Sequence, residues 1–416
     1  MLELNTDRLL MDLYLTRNNF IWGAKKDTIK YDYSQLRILN DVFANITQMK
    51  FPLKNIFINK DDVYKILEKD ASRIINDFFV KSIGNKDILR TSFNNFKNYL
   101  DDLNFYHYGY FDLTRKYSIN DFVDIILSYY ATYGNEIFNI VKKYFEEERI
   151  QLPYFSSEHN MQENIGGFFV PITYLSSGYI FSTHERLDSY CMCAIVHELG
   201  HAIDAEKFIF PQKKTIKPLN DLLLEVPSTA YEFGFYYYLI NNKIDTGAGL
   251  VILNDRMQGI KIYGEQLDYL YSKDKLLLQY DGTLLEYEPI VINKEDIVFN
   301  DKDELLYDNT LYGNNDYEYD KYGNIVIHRY IKYPFRDAII YGLGYYIAMH
   351  LCEIKKHVSI EEYNKIFYNL IASRKEANLA ESIETLGLDL QDYVDGNFIK
   401  DRVRNDVLEM KKRFNA

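Results

Sequence analysis

The chain has 416 residues, enough for one large domain or two ordinary ones with a well-buried core. Lys and Arg total 48 against 61 Asp and Glu, a net charge of −13 that repels nucleic-acid phosphates and anionic lipid headgroups, so neither partner is expected. Three cysteines are too few for a disulfide framework and fit a reducing, cytoplasmic compartment.

At the start of the chain, Glu3, Asp7, Arg8 and Asp12 interrupt the leucines, so a signal peptide is not expected. No apolar run reaches the roughly 18–20 residues that span a bilayer. After Asn59, Val63, Ile66, Leu67, Ile74 and Phe78 form a helical stripe. Ser118 and Asp121 form a capping box ahead of the apolar run Phe122–Tyr130, and Gly134-Asn135 ends that helix and starts another. Residues 1–150 therefore read as a helical N-terminal half. Tyrosine occurs 39 times, so a pattern built on tyrosines recurs by composition alone.

Between 165 and 184, Gly166-Gly167, Pro171 and Ser176-Ser177-Gly178 punctuate β-prone runs, the pattern of two short strands joined by a turn. A helix starting near Leu187 or Asp188 carries the motif His197-Glu198-Leu199-Gly200-His201. Residues four apart share one helical face, so both imidazoles can bind one ion at about 2 Å from each ring nitrogen. Glu198, one position further round, reaches a water at the fourth coordination position and can act as general base. A single Zn²⁺ is the implied cofactor. Cys191 and Cys193 diverge on this helix and read as packing residues.

A third ligand is needed, and no histidine follows at metzincin spacing. Glu225, 24 residues after His201, is the candidate, with Ser228 and Glu232 three and seven positions later on the same face. Glu232 or Asp204 can hold a ligand imidazole through its second nitrogen. Pro227 requires that the helix over 221–241 either starts close to Glu225 or kinks. From 275 to 332 the chain reads as β-structure: Leu276–Tyr280 and Thr283–Tyr287 flank the hairpin turn Asp281-Gly282, and Asn324–Tyr330 forms another strand. Ser359 and Glu362 cap a helix in the terminal part.

HELGHA followed by Glu225-Val226-Pro227-Ser228 and Glu232 resembles the thimet-type family of zinc oligopeptidases, most of all its oligoendopeptidase F branch. The order of the neighbouring features agrees loosely over residues 160–410. The resemblance implies a mainly α, zincin-type metallopeptidase enclosing a cleft or channel, with a small β-sheet beside the active site and 151–416 as the catalytic region. It implies short peptides as substrates, zinc held by His197, His201 and Glu225, and oxyanion donors drawn from His328, Tyr341 and Tyr345, with Arg336 or Tyr346 as alternatives. The chain departs from the family in its β-hairpins at 275–332 and in having 196 residues before the motif, so a more open cleft is expected. Two other readings stay open: a zinc-stabilised peptide-binding protein without efficient turnover, and a zinc amidase acting on a non-peptide substrate.

Overall fold

The computed structural model describes residues 76–105, 115–147, 149–151, 167–172, 177–182, 186–212, 221–273, 277–278, 284–287, 290–297, 305–307, 310–312, 317–327, 330–374 and 378–414. The helical stripe read after Asn59 therefore lies almost entirely outside the described residues, which are helical over 76–84. The fold is mainly α with small β-sheets. No helix among the described residues is long and apolar enough to cross a membrane.

Four helices form the centre: α4 (Ser189–Asp204), α5 (Val226–Asn241), α6 (Thr246–Tyr271) and α7 (Phe335–His357). α5 packs on α4, α6 and α7, and α7 also packs on α6. Their sequences explain the placement. Buried residues lie on every side of α4, α5 and α7, and a helix apolar all round is stable only inside a protein. The outer helices α1 (Lys86–Asp102), α2 (Ile119–Ala131), α3 (Asn135–Glu146), α8 (Ile360–Ser373) and α9 (Lys400–Phe414) each bury one stripe. One cluster of buried side chains runs through the helices, from Phe93 on α1 through Val196 and Tyr231 to Val407 on α9.

The capping signals read from sequence are realised. Ser118 accepts from the Asp121 amide and Ser359 from the Glu362 amide. Pro227 lies in the first turn of α5, where its missing N–H has no intrahelical partner to lose, so the helix starts beside Glu225 and does not kink.

Strands β2 (Gly167–Ile172) and β3 (Ser177–Ser182) pair antiparallel as expected. A third strand, β1 (Ile150–Gln151), joins β3 in parallel, giving the order β1-β3-β2. Two residues show no periodicity, which is why sequence alone misses β1. Both β2 and β3 lie against α4.

The described residues between 275 and 332 carry the β-structure expected there, with one correction. Leu278 of β4 (Leu277–Leu278) pairs with Leu284 of β5 (Leu284–Tyr287), whereas a two-residue turn at Asp281-Gly282 would set it opposite Leu285. The turn itself lies outside the described residues. Burial of Leu284 and packing of Leu278 against the same core decide the register, because a one-residue slip would turn one of them to solvent.

The strand expected over Asn324–Tyr330 is described on both sides of residues 328–329, which lie outside the described residues. β10 (Ile325–Ile327) pairs with β6 (Ile290–Ile292) and β9 (Tyr317–Tyr319), and β11 (Tyr330–Tyr333) pairs with β5. One antiparallel register runs through both pairings, with Ile327 opposite Ile290 and Tyr330 opposite Tyr287; Ile325 and Ile327 bury against Ile292 in a satellite cluster, whereas Leu284 on β5 and Tyr333 on β11 belong with the main core. A fourth pair joins β7 (Leu305–Tyr307) to β8 (Thr310–Tyr312).

Candidate metal centre

Asp188 starts α4 by accepting the Cys191 amide at 3.0 Å, which sets the helical phase for everything after it. His197 and His201 then fall on one face, with side chains 13% and 18% exposed and rings 5.1 Å apart. That face meets the first turn of α5. Contact is close because position 200 lacks a side chain: a Cβ there would lie 2.5 Å from Ser228 Cα and 2.8 Å from Pro227 O. Gly344 on α7 plays the same part on the other side, where a Cβ would approach Glu225 Cβ to 3.3 Å.

Two tyrosines of α2 pin these helices beside the key residues. The Tyr130 hydroxyl donates to Val196 O at 2.9 Å, one residue before His197, and the Tyr129 hydroxyl donates to Tyr231 O at 2.5 Å, one residue before Glu232.

Glu225 Oε2 lies 3.2 Å from His197 Nε2 and 3.1 Å from His201 Nε2. The ligand atoms of all three residues fall within 4.8 Å of one another. Four ligands at about 2.0–2.1 Å in a tetrahedron stand roughly 3.3–3.4 Å apart, so the carboxylate sits near the required distance from both rings. Two neutral imidazole nitrogens and one carboxylate oxygen form a three-residue donor set suited to a borderline-soft divalent cation with one position left for solvent. The electrostatics point the same way. Burial opposes charge on His197, but hydrogen bonds to Glu225 and Glu232 outweigh it and raise its pKa well above the usual histidine value. Burial opposes ionisation of Glu225 too, and His201 and His197 overcome it, holding the carboxyl well below its usual range. A pocket that favours positive charge this strongly fits a cation.

Outside the ligands, Ser228 Oγ reaches Glu225 Oε2 at 2.9 Å. Of the two carboxylates that sequence offered as an outer partner, Glu232 takes the role: its Oε2 lies 2.8 Å from His197 Nδ1, the tie that fixes the ring and leaves Nε2 facing Glu225. Asp204 instead accepts from Arg374 Nη1 at 2.8 Å. Glu232 is held near pKa 2 although burial pushes it up, because Arg256 and His197 favour its charge and Tyr236 donates to it. Glu198 is 6% exposed, and no hydrogen bond to its side chain occurs among the described residues. Burial raises its pKa, partly countered by the two histidines, which moves it toward the range of a working general base.

The aromatic candidates separate. Tyr341 stacks on His197, with centroids 6.4 Å apart and planes 27° from parallel. The charge of Glu225, and then burial, push its pKa well above the phenol range, so it is a protonated donor at neutral pH. Tyr345 stands one layer back, against Phe233 at 5.7 Å and under the Arg256 guanidinium at 5.3 Å. Tyr346 is a core residue whose hydroxyl donates to Tyr393 O at 2.8 Å. Arg336 lies against Phe78 and pairs with Asp337. His328 lies outside the described residues. Cys191 and Cys193 are buried, and neither forms a disulfide among the described residues.

Sequence reasoning missed Arg256. It donates from Nε and Nη2 to Glu232 Oε1, at 3.1 and 2.8 Å. The available signal was a charged pair, Asp255-Arg256, shortly after the apolar run Leu250–Leu253 and before Met257 and Ile260, where a charge near the buried face requires a partner.

No protein-family model and no curated protein sequence matches this chain. Several solved structures share its general path. One is a protein provisionally named oligoendopeptidase F from Bacillus anthracis str. Ames, at 13% identity and TM-score 0.43, covering 92% of this chain and 63% of that one. A provisionally named peptidase from Chlamydophila abortus has 13% identity and TM-score 0.39, covering 96% and 64%. PZ peptidase A, solved with an inhibitor, has 13% identity and TM-score 0.40, covering 94% and 71%. The chain thus spans less than two thirds of the first two proteins.

Proposed function

We propose that this chain is a zinc-dependent peptidase of the oligoendopeptidase F type, hydrolysing short peptides, with residues 151–416 as the catalytic region. The observation that carries the reading is the Glu225 carboxylate oxygen within 3.2 Å of both Nε2 atoms of the HELGH motif, with Glu198, the next residue after His197, buried. In this reading His197, His201 and Glu225 hold the ion, and Glu232 orients His197. A zinc ion held there would supply Lewis acidity toward a substrate carbonyl and would lower the pKa of a water molecule to near 7.

The chain's own groups do the remaining work. Glu198 takes a proton from the attacking water as its oxygen bonds to the carbonyl carbon. The carboxyl then returns that proton to the amide nitrogen, the C–N bond breaks, and the products are an amine and a carboxylic acid that keeps the water's second proton until it ionises. The hydroxyl of Tyr341 donates to the oxygen that becomes negative on attack. Tyr345 supports Tyr341, and His328 enters as a second donor by the resemblance alone. A peptide substrate is favoured by β2, which has a neighbour on one side only among the described residues and lies against the motif helix. An extended peptide can add to such an edge through main-chain hydrogen bonds.

Glu198→Gln tests the reading. The variant is expected to bind zinc like the wild type and to lose cleavage of fluorogenic short peptides. Retained cleavage would overturn the role of Glu198. Tight peptide binding without cleavage by the zinc-loaded wild type would favour a binding protein instead, and cleavage of non-peptide amides alone would favour the amidase.

A further inference from the structure

Glu232 presents its two oxygens to different partners. Oε2 holds His197 Nδ1 at 2.8 Å, and Oε1 takes both Arg256 donors and the Tyr236 hydroxyl. With Oε1 engaged on three sides, the carboxylate cannot turn away from the imidazole. Arg256 Nε also lies 3.2 Å from the Tyr236 oxygen, so the guanidinium braces the donor as well as the acceptor.

The face of the same guanidinium lies 5.3 Å from the centre of the Tyr345 ring. Tyr345 packs on Tyr341, with centroids 6.0 Å apart, and Tyr341 stacks on His197. The contacts close a ring: His197 to Glu232, to Arg256, to Tyr345, to Tyr341, and back to His197. Arg256 is the member that joins the carboxylate half to the aromatic half.

We propose that Arg256 is a positioning residue for the reaction, holding His197 through Glu232 and Tyr341 through Tyr345. This rests on the zinc-peptidase reading and adds to it a residue that neither the motif nor the resemblance indicates. Both contacts call for arginine: two donors in one plane meet Oε1, and the flat cation covers an aromatic ring, whereas lysine offers a single point charge. Glu232 is 2% exposed and Arg256 36%, so removing the arginine leaves a buried carboxylate short of its main counter-charge while the arginine's own place opens to water. A purely structural ion pair in this position would affect stability and leave the metal and the tyrosine alone.

The experiment compares the full-length wild type with Arg256→Met and Arg256→Lys. It measures zinc affinity by chelator competition, the visible spectrum of the cobalt(II)-loaded protein, thermal midpoint, and kcat and KM on a fluorogenic peptide. Arg256→Met is expected to weaken zinc binding by about 10–100-fold, the range found for partners of ligand histidines. Its cobalt band should shift, and kcat should fall with KM within about threefold. Arg256→Lys should recover most of the zinc affinity through its charge and less of kcat, since it does not cover Tyr345. Wild-type affinity, spectrum and kcat in Arg256→Met would overturn the proposal, whether or not the melting midpoint drops. So would losses that vanish once corrected for unfolded protein. If the wild type binds zinc and cleaves no peptide, the peptidase reading fails while affinity and spectrum still judge Arg256. If it binds no zinc, both fall.

Discussion

Replacing Gly200 by alanine tests the close approach on which the metal centre depends. The new Cβ would stand 2.5 Å from Ser228 Cα and 2.8 Å from Pro227 O. Both are backbone atoms, so no side-chain rotation relieves the clash. Ordinary carbon contacts need about 3.5 Å, which requires α4 and the first turn of α5 to part by roughly 1 Å. Strain of that kind in a packed interior costs about 1–3 kcal/mol of stability.

The larger effect falls on the ligands. Glu225 stands three residues before Ser228, and its Oε2 distances of 3.1 and 3.2 Å to the histidines widen toward roughly 4 Å, outside the tolerance of about 0.2 Å on zinc–ligand bonds. Zinc affinity should fall by at least the 10–100-fold typical of a disturbed outer shell, about 1.4–2.7 kcal/mol, and activity should fall with it. Chelator-competition titration and urea unfolding read the two effects separately. Gly84→Ala is the control: an exposed glycine at the end of the helical stretch 76–84, whose Cβ would meet nothing within 4 Å. It should leave zinc affinity unchanged and stabilise by up to about 1 kcal/mol. Wild-type zinc affinity in Gly200→Ala would refute the argument that this contact sets the ligand distances.

Tyr341→Phe keeps the ring against His197 and removes the hydroxyl. Its kcat should drop by about 100–1,000-fold with zinc affinity unchanged, whereas Tyr345→Phe should stay within a few-fold of wild type; equal losses in both would reject the division of roles. His350 supplies a prediction away from the centre. It is fully buried, its Nδ1–H donates to Tyr346 O at 2.9 Å, and burial lowers its pKa from the ordinary 6.5 to about 4. Below pH 6.5 the unfolded chain takes up a proton that the folded chain refuses, so stability is complete above pH 6.5 and declines as pH falls toward 4. Between pH 7 and 5 the loss amounts to about 2 kcal/mol. Urea midpoints of the wild type and His350→Phe should therefore converge on acidification, and parallel curves would exclude His350 as the cause.

Elements governed by neighbours in sequence were legible before any coordinates. Ser118, Asp188 and Ser359 stand three residues before the amides they accept from, and His197 and His201 share a face because a helix turns every 3.6 residues. The Glu225, Ser228 and Glu232 face of α5 was readable for the same reason. Contacts between elements were not. The register of Leu278 with Leu284 depends on which core each side chain enters, and no local period encodes that. Gly200 carries no sign in the motif that its missing Cβ admits Ser228. Arg256 reaches Glu232 across 24 residues of chain, and Tyr341 and Tyr345 are told apart only by what packs on them. Periodicity is a property of one helix, whereas the distance from an imidazole to a distant carboxylate is set by how closely two helices can approach, and that belongs to the packed molecule.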